Sequence, residues 1–310
     1  MTGVIPVIAE VGLFVLGLAL LVAGADRAVR AAGELALYYG VSAFFVGVTV
    51  ISVGTSVPEM TTSIYAASYG AGDLVVGNIV GSETAQITLA LGIVALIRPV
   101  VAQRRNVAIY GSAMILAMIV MILTLDDGVV GRSEGVLMML AYAQFVYTLY
   151  TNEGGEEVTE EVVDDRLPPR ETVPWIALGL AMVVVGGNLL VTNGTAIARD
   201  LGVSEYLIGL LTGLGTTAPE IVVAGIAAAE GREGISVGAL LGSNITDPVF
   251  SLGVGALVAD VTVSTGTIGA SLAYMLGVSI LVLALMYWRR GLDRRAAVAC
   301  LFLYPPSLLV

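Results

Sequence analysis

Residues 54–59 read GTSVPE, and they stand inside an apolar run that reaches from Val41 to about Ala67. A proline removes a backbone donor and clashes with the preceding turn, so Pro58 should break or kink its helix. Carbonyls freed by such a break need partners, and within a membrane a bound cation is one of the few available. The element returns as GTTAPE at 215–220, which supplies a second proline, Pro219, and a second acid, Glu220. A longer stretch returns with it. GNIVGSETAQ at 77–86 reappears as GALLGSNITD at 238–247, so the spacing between the two elements is identical in both copies. Upstream, GVSAFFVG at 40–47 matches GVSEYLIG at 202–209, one position out of that common register.

The rest of the chain sets these motifs in lipid. Of its 310 residues, 57% are hydrophobic and 13% charged, with a mean hydropathy of +0.93. A soluble domain carries about 25% charged residues. Apolar runs of roughly 20 residues recur throughout, the length that crosses a bilayer as a helix. The first of them contains Glu10 and follows no basic residue, which does not fit a cleavable signal. Helices are expected near 4–24, 42–69, 73–97, 106–124, 134–150, 173–193, 203–229, 234–259, 264–288 and 296–310. The polar stretch 151–172 divides five from five, and its seven acids between Glu153 and Asp165 read as a solvated linker. Five crossings is an odd number, so the two repeats enter the membrane in opposite directions, as in many secondary transporters. The expected fold is an all-α polytopic membrane protein of about ten transmembrane helices in two inverted five-helix repeats. Its parts are a first repeat (1–150), an acidic cytoplasmic linker (151–172) and a second repeat (173–310).

Charge assigns the sides. All 14 basic residues are arginine, against 25 acids, and the net charge is −11. If the segments alternate, twelve arginines fall on one side and only Arg132 and Arg199 on the other. Basic loops stay in the cytoplasm, so both termini are expected outside, in a plasma membrane. An acidic chain argues against nucleic-acid partners. The absence of histidine excludes imidazole chemistry. A single cysteine, Cys300, excludes an internal disulfide and reads as a small buried hydrophobe.

The motifs offer one set of donors. Thr55 and Glu59 are four apart, as are Thr216 and Glu220, Ser82 and Gln86, and Ser243 and Asp247, so each pair shares a helix face. Carboxylate, hydroxyl, amide and main-chain oxygen, without nitrogen or sulfur, suit a hard cation such as Ca2+. Singly, each residue has a structural reading: a protonated buried glutamate, a back-bonded hydroxyl, small residues that pack helices. Repetition of the whole set in register favours an ion site.

At these residues the chain resembles the calcium/cation antiporter superfamily, most closely its sodium/calcium exchangers, whose alpha repeats carry similar paired elements. The resemblance covers nearly the whole chain. It implies ion ligands at Thr55, Ser56, Glu59, Ser82 and Gln86, and at Thr216, Thr217, Glu220, Ser243 and Asp247. It further implies carbonyl ligands at Ser52 and Gly213. Two departures stand out: Gln86 replaces the usual asparagine, and GSE at 81–83 replaces GSN. One residue turns a helix by about 100°, so Glu83 is expected to point away from the site. The function implied is Ca2+/Na+ antiport by alternating access, with proton/Ca2+ antiport as the alternative. Gln86 cannot titrate, which favours sodium. Three acids could be neutralised by three Na+, so exchange of three Na+ for one Ca2+ should be electrogenic. Neither an enzyme nor a cofactor is expected, and the partners are the two ions and the bilayer. An intramembrane hydrolase would need paired aspartates, and only Asp247 lies well inside a helix.

Overall fold

The computed structural model describes residues 4–152, 168–202, 215–263 and 265–309. The expected linker acids, Gly213 and the first part of the helix expected at 203–229 lie outside them. Among the described residues the chain is helical apart from two short β pairings. It begins with α1 (Val4–Tyr39), followed by α2 (Ala43–Thr55) and α3 (Val57–Ser68), which meet at a 43° bend. Then come α4 (Gly72–Ile97), β1 (Val100–Val101), α5 (Arg104–Thr124), β2 (Val129–Val130) and α6 (Arg132–Asn152). The second half holds α7 (Pro169–Asp200), α8 (Ala218–Ala229), α9 (233–258) and β3 (Val261–Thr262). It closes with α10 (Thr265–Arg289), β4 (Gly291–Leu292) and α11 (Arg294–Phe302). Among the described residues, five helices are long and apolar enough to cross a membrane, and the bent α2–α3 pair brings the number to six.

Two expected helices, 4–24 and 173–193, are much longer than their apolar runs, and the cause is visible in α1. Its charges interrupt the apolar run without ending the helix. Asp26 and Arg30 pair at 3.0 Å across one turn, and Arg27 stacks 4.7 Å over the Trp175 ring of α7. Such i,i+4 pairs support a helix beyond the apolar stretch. The helix expected at 296–310 is shorter, because Pro305 and Pro306 end it and open a 3-10 turn. Asp293 caps its start, accepting from the Ala296 N–H at 2.8 Å.

The duplication governs the backbone as well as the motifs. β1 pairs with β4 and β2 with β3, so each pairing joins one half of the chain to the other. Val100 of β1 and Val261 of β3 hold equivalent places in the two halves, in the same register as the motifs. Left-handed glycines mark equivalent turns at Gly40 and Gly202, and again at Gly70 and Gly231. The helices α1 and α7 cross through glycines. A Cβ at Gly24 would lie 2.6 Å from the Gly179 carbonyl oxygen, and one at Gly17 would lie 2.8 Å from that of Gly186. Small residues let helices in lipid approach to backbone contact.

The centre belongs to α4 and α9. Every residue from Ile235 to Thr246 is buried, and α4 buries the run from Ser82 to Ala85. Both helices carry one π turn, at Gln86–Ala90 and Asp247–Ser251, and these too are equivalent positions of the two repeats.

Candidate functional site

Each GT-x-x-PE element breaks its helix at the same place. Ser56 (φ −75°, ψ 4°) and Thr217 (φ −82°, ψ −5°) occupy the break, and Pro58 and Pro219 follow at the start of the next helix. There a proline loses nothing, since the first amides of a helix have no internal acceptor. Glu59 and Glu220 thus fall in a first turn, where the helix dipole favours negative charge. The prolines therefore set the start of the second half-helix.

The expected site residues from both repeats are largely buried together. Ser52, Thr55, Ser56, Glu59, Gln86, Thr217, Glu220, Ser243 and Asp247 are fully buried and Ser82 is 1% exposed, with Thr216 partly buried. Glu59, Glu220 and Asp247 lie within electrostatic reach of one another. A polar chain crosses three helices. Asn244 Nδ2 of α9 donates to Gln86 Oε1 at 2.7 Å, and Gln86 Nε2 donates to Ser82 Oγ at 2.9 Å. Ser82 Oγ then donates to Glu59 Oε1 at 3.3 Å. On the other side Ser251 Oγ donates to Asp247 Oδ1 at 2.8 Å. The Ser52 carbonyl accepts from the Ser56 N–H at 2.9 Å and from Thr55 Oγ1 at 3.2 Å.

Both copies of the duplicated motifs bury polar atoms that have no partner. Glu59 Oε2, both Glu220 oxygens, Asp247 Oδ2, and the hydroxyls of Ser56, Thr217 and Ser243 are buried without a hydrogen-bond partner. A buried polar atom without a partner costs about 1–3 kcal/mol, and more when charged. No lysine exists in the chain, and the described arginines are exposed except the half-buried Arg232. Among the described residues no three acidic side chains form a ready-made metal cluster. The donor set is a mixture of carboxylate, hydroxyl and amide oxygens, which hard cations accept.

Several participants were not anticipated from the motifs. Ser251 stands one helical turn beyond Asp247, a spacing that sequence could have revealed. Asn244 is part of GSN, but its reach to Gln86 depends on how α9 packs against α4. Thr246 lies 3.3 Å from the Tyr142 hydroxyl of α6 and 3.5 Å from Ser52 Oγ, which links α2, α9 and α6. Glu83, expected to point away from the site, is not at the surface. It is fully buried, with both carboxylate oxygens unpartnered. The 100° turn from Ser82 does not carry it out of the protein, because α4 is enclosed on several sides.

Inverted repeats whose broken helices gather unpaired carboxylates in the middle of a membrane bundle have the architecture of a secondary transporter. The chain belongs to the sodium/calcium exchanger protein family, which matches residues 9–151 and 172–310. The inner membrane protein YrbG of Escherichia coli is 32% identical over 290 residues, covering 90% of this chain and 89% of YrbG. The sodium/calcium exchanger MaX1 of Methanosarcina acetivorans is 26% identical over 339 residues, covering 96% of this chain and 97% of MaX1. The fold is similar to that of the sodium-calcium exchanger NCX_Mj, soaked with 10 mM Na+ and zero Ca2+. The TM-score is 0.82 and the identity 29%, over 98% of this chain and 99% of that one. Family and fold are those of multi-pass membrane transporters.

Proposed function

We propose that the chain is an antiporter that exchanges Ca2+ for Na+ across the plasma membrane by alternating access. Its ligands are the side chains of Thr55, Ser56, Glu59, Ser82, Gln86, Thr216, Thr217, Glu220, Ser243 and Asp247, with carbonyls of Ser52 and Gly213. The observation that carries this reading is that both copies of one motif bury carboxylate and hydroxyl oxygens without hydrogen-bond partners. An occluded site with bare carboxylates is strongly disfavoured in low dielectric. A site filled with Ca2+ or Na+ has no such penalty, so the protein can cross between its two open states only when loaded. That restriction couples the ions. The inverted repeats supply the two states, because each repeat can adopt the conformation of the other and so move the opening to the opposite side. Residues 1–150 and 173–310 are the two repeats in this reading, joined by the cytoplasmic linker 151–172. No cofactor takes part beyond the transported ions.

Exchange of three Na+ for one Ca2+ moves one net charge. Glu83 adds to the fixed charge of the interior but travels with neither ion, so the transported charge is unaffected. One charge is worth about 2.3 kcal/mol per 100 mV, a shift of roughly fifty-fold in the equilibrium.

The experiment is 45Ca2+ uptake into proteoliposomes under imposed Na+, K+ and proton gradients, with membrane potential clamped by valinomycin in a second arm. An outward Na+ gradient should drive uptake, and inside-positive potential should oppose Na+ influx with Ca2+ efflux. Uptake driven by protons alone would replace sodium with the proton-coupled alternative. A Ca2+ distribution indifferent to the clamp would make the exchange electroneutral.

A further inference from the structure

Glu83 lies outside the ligand set just described, and it lacks a partner as completely as Glu220. It occupies α4 beside Ser82, fully buried, with neither oxygen hydrogen-bonded. Its equivalent in the second repeat is Asn244, and the residue equivalent to Gln86 is Asp247. Asn244 reaches Gln86 at 2.7 Å where α9 passes α4. The two-fold relation between the halves exchanges Glu83 with Asn244 and Gln86 with Asp247. The contact equivalent to Asn244–Gln86 therefore directs Glu83 toward Asp247. In agreement, Asp247 exerts the largest electrostatic influence of any side chain on Glu83, with Glu220 next. One side of this crossing has two amides that hydrogen-bond to each other, with Asn244 Oδ1 left unpartnered. The other has two carboxylates that cannot, and Asp247 Oδ2 is itself unpartnered.

We propose that Glu83 and Asp247 together form an additional cation subsite for a hard divalent ion such as Ca2+, next to the duplicated Glu59–Glu220 pair. The proposal rests on the ion-binding reading of Asp247. Two carboxylates with neighbouring hydroxyls suit Ca2+, and each added carboxylate raises the preference for a doubly charged ion over Na+. Glu83 thereby becomes a determinant of selectivity that its repeat mate, a neutral asparagine, cannot be.

The test uses the purified full chain in detergent and reads the thermal midpoint against CaCl2 concentration. Glu83→Gln should melt higher than the parent without Ca2+, because an unpaired buried charge has been removed. Its half-saturating Ca2+ should rise about tenfold or more, the scale of loss when a group supporting a metal site is removed. Asp247→Asn should behave alike, and the double variant should be no weaker than the worse single, since both act on one ion. Glu83→Asn, which copies the second repeat, gives the same reading if the glutamine variant does not fold. A parental half-saturating Ca2+ in either Glu83 variant, or fully additive losses in the double, would overturn the proposal. Because this readout needs no vesicle, Ca2+ binding through Glu83 without sodium-driven exchange would overturn the antiport reading alone. Sodium-driven exchange with unaltered Ca2+ binding in Glu83→Gln would overturn this one alone.

Discussion

Glu59 and Glu220 are placed by the prolines beside them, in first turns whose dipoles already favour a negative charge. Exchange of either for glutamine preserves shape and removes that charge. Glu59→Gln and Glu220→Gln are therefore expected to fold and to reduce 45Ca2+ uptake to background; near-parental uptake by either would remove the pair from the site. These acids were legible in sequence because they recur with their prolines and hydroxyls in a fixed register. Gln86 was legible only in part. Its spacing from Ser82 revealed the shared face, but its amide oxygen is engaged by Asn244, a contact that arises from helix packing. Glu83 shows where local geometry stops being informative. A turn of about 100° says which way a side chain leaves its helix, and only the neighbours determine whether it meets lipid or protein.

At the scale of elements, the long crossing of α1 and α7 is the feature that apolar runs understated. Charged residues shortened both helices on paper, while an ion pair and an arginine–tryptophan stack carry α1 past them. The π turns were not legible at all, since a residue added to a helical turn leaves no compositional mark. Two of them begin at Gln86 and Asp247, where the backbone irregularity coincides with candidate ligands, and a third spans Gly47–Ile51, just before Ser52. The glycine contacts permit a direct check. A methyl at Gly24 would press on the Gly179 carbonyl from 2.6 Å, and overpacking of this kind costs about 1–3 kcal/mol. Gly24→Ala should lower the thermal midpoint and slow transport, whereas Gly12→Ala, on the same helix with open space around its Cβ, should do neither. An unchanged midpoint and rate in Gly24→Ala would mean that the two helices stand further apart than described.

Across the whole molecule, ion pairs collect at one end. Arg30 meets Glu230 at 2.6 Å and Arg98 meets Glu233 at 2.7 Å, so α1 and the end of α4 gather around the α8–α9 turn. On the arginine bias we propose that this is the cytoplasmic end. Single cysteines in a Cys300→Ala background should report it: position 71 should label from outside and position 103 only after permeabilisation. The opposite pattern would invert the assigned orientation. The two β pairings carry a further consequence, for the order in which the protein is made. β1 and β2 are both synthesised before Gly131, yet their partners are residues 291–292 and 261–262. A first half made alone thus has both strand edges open until residues 261–262 and then 291–292 have been added. Each half therefore leaves a strand edge that only the other half closes.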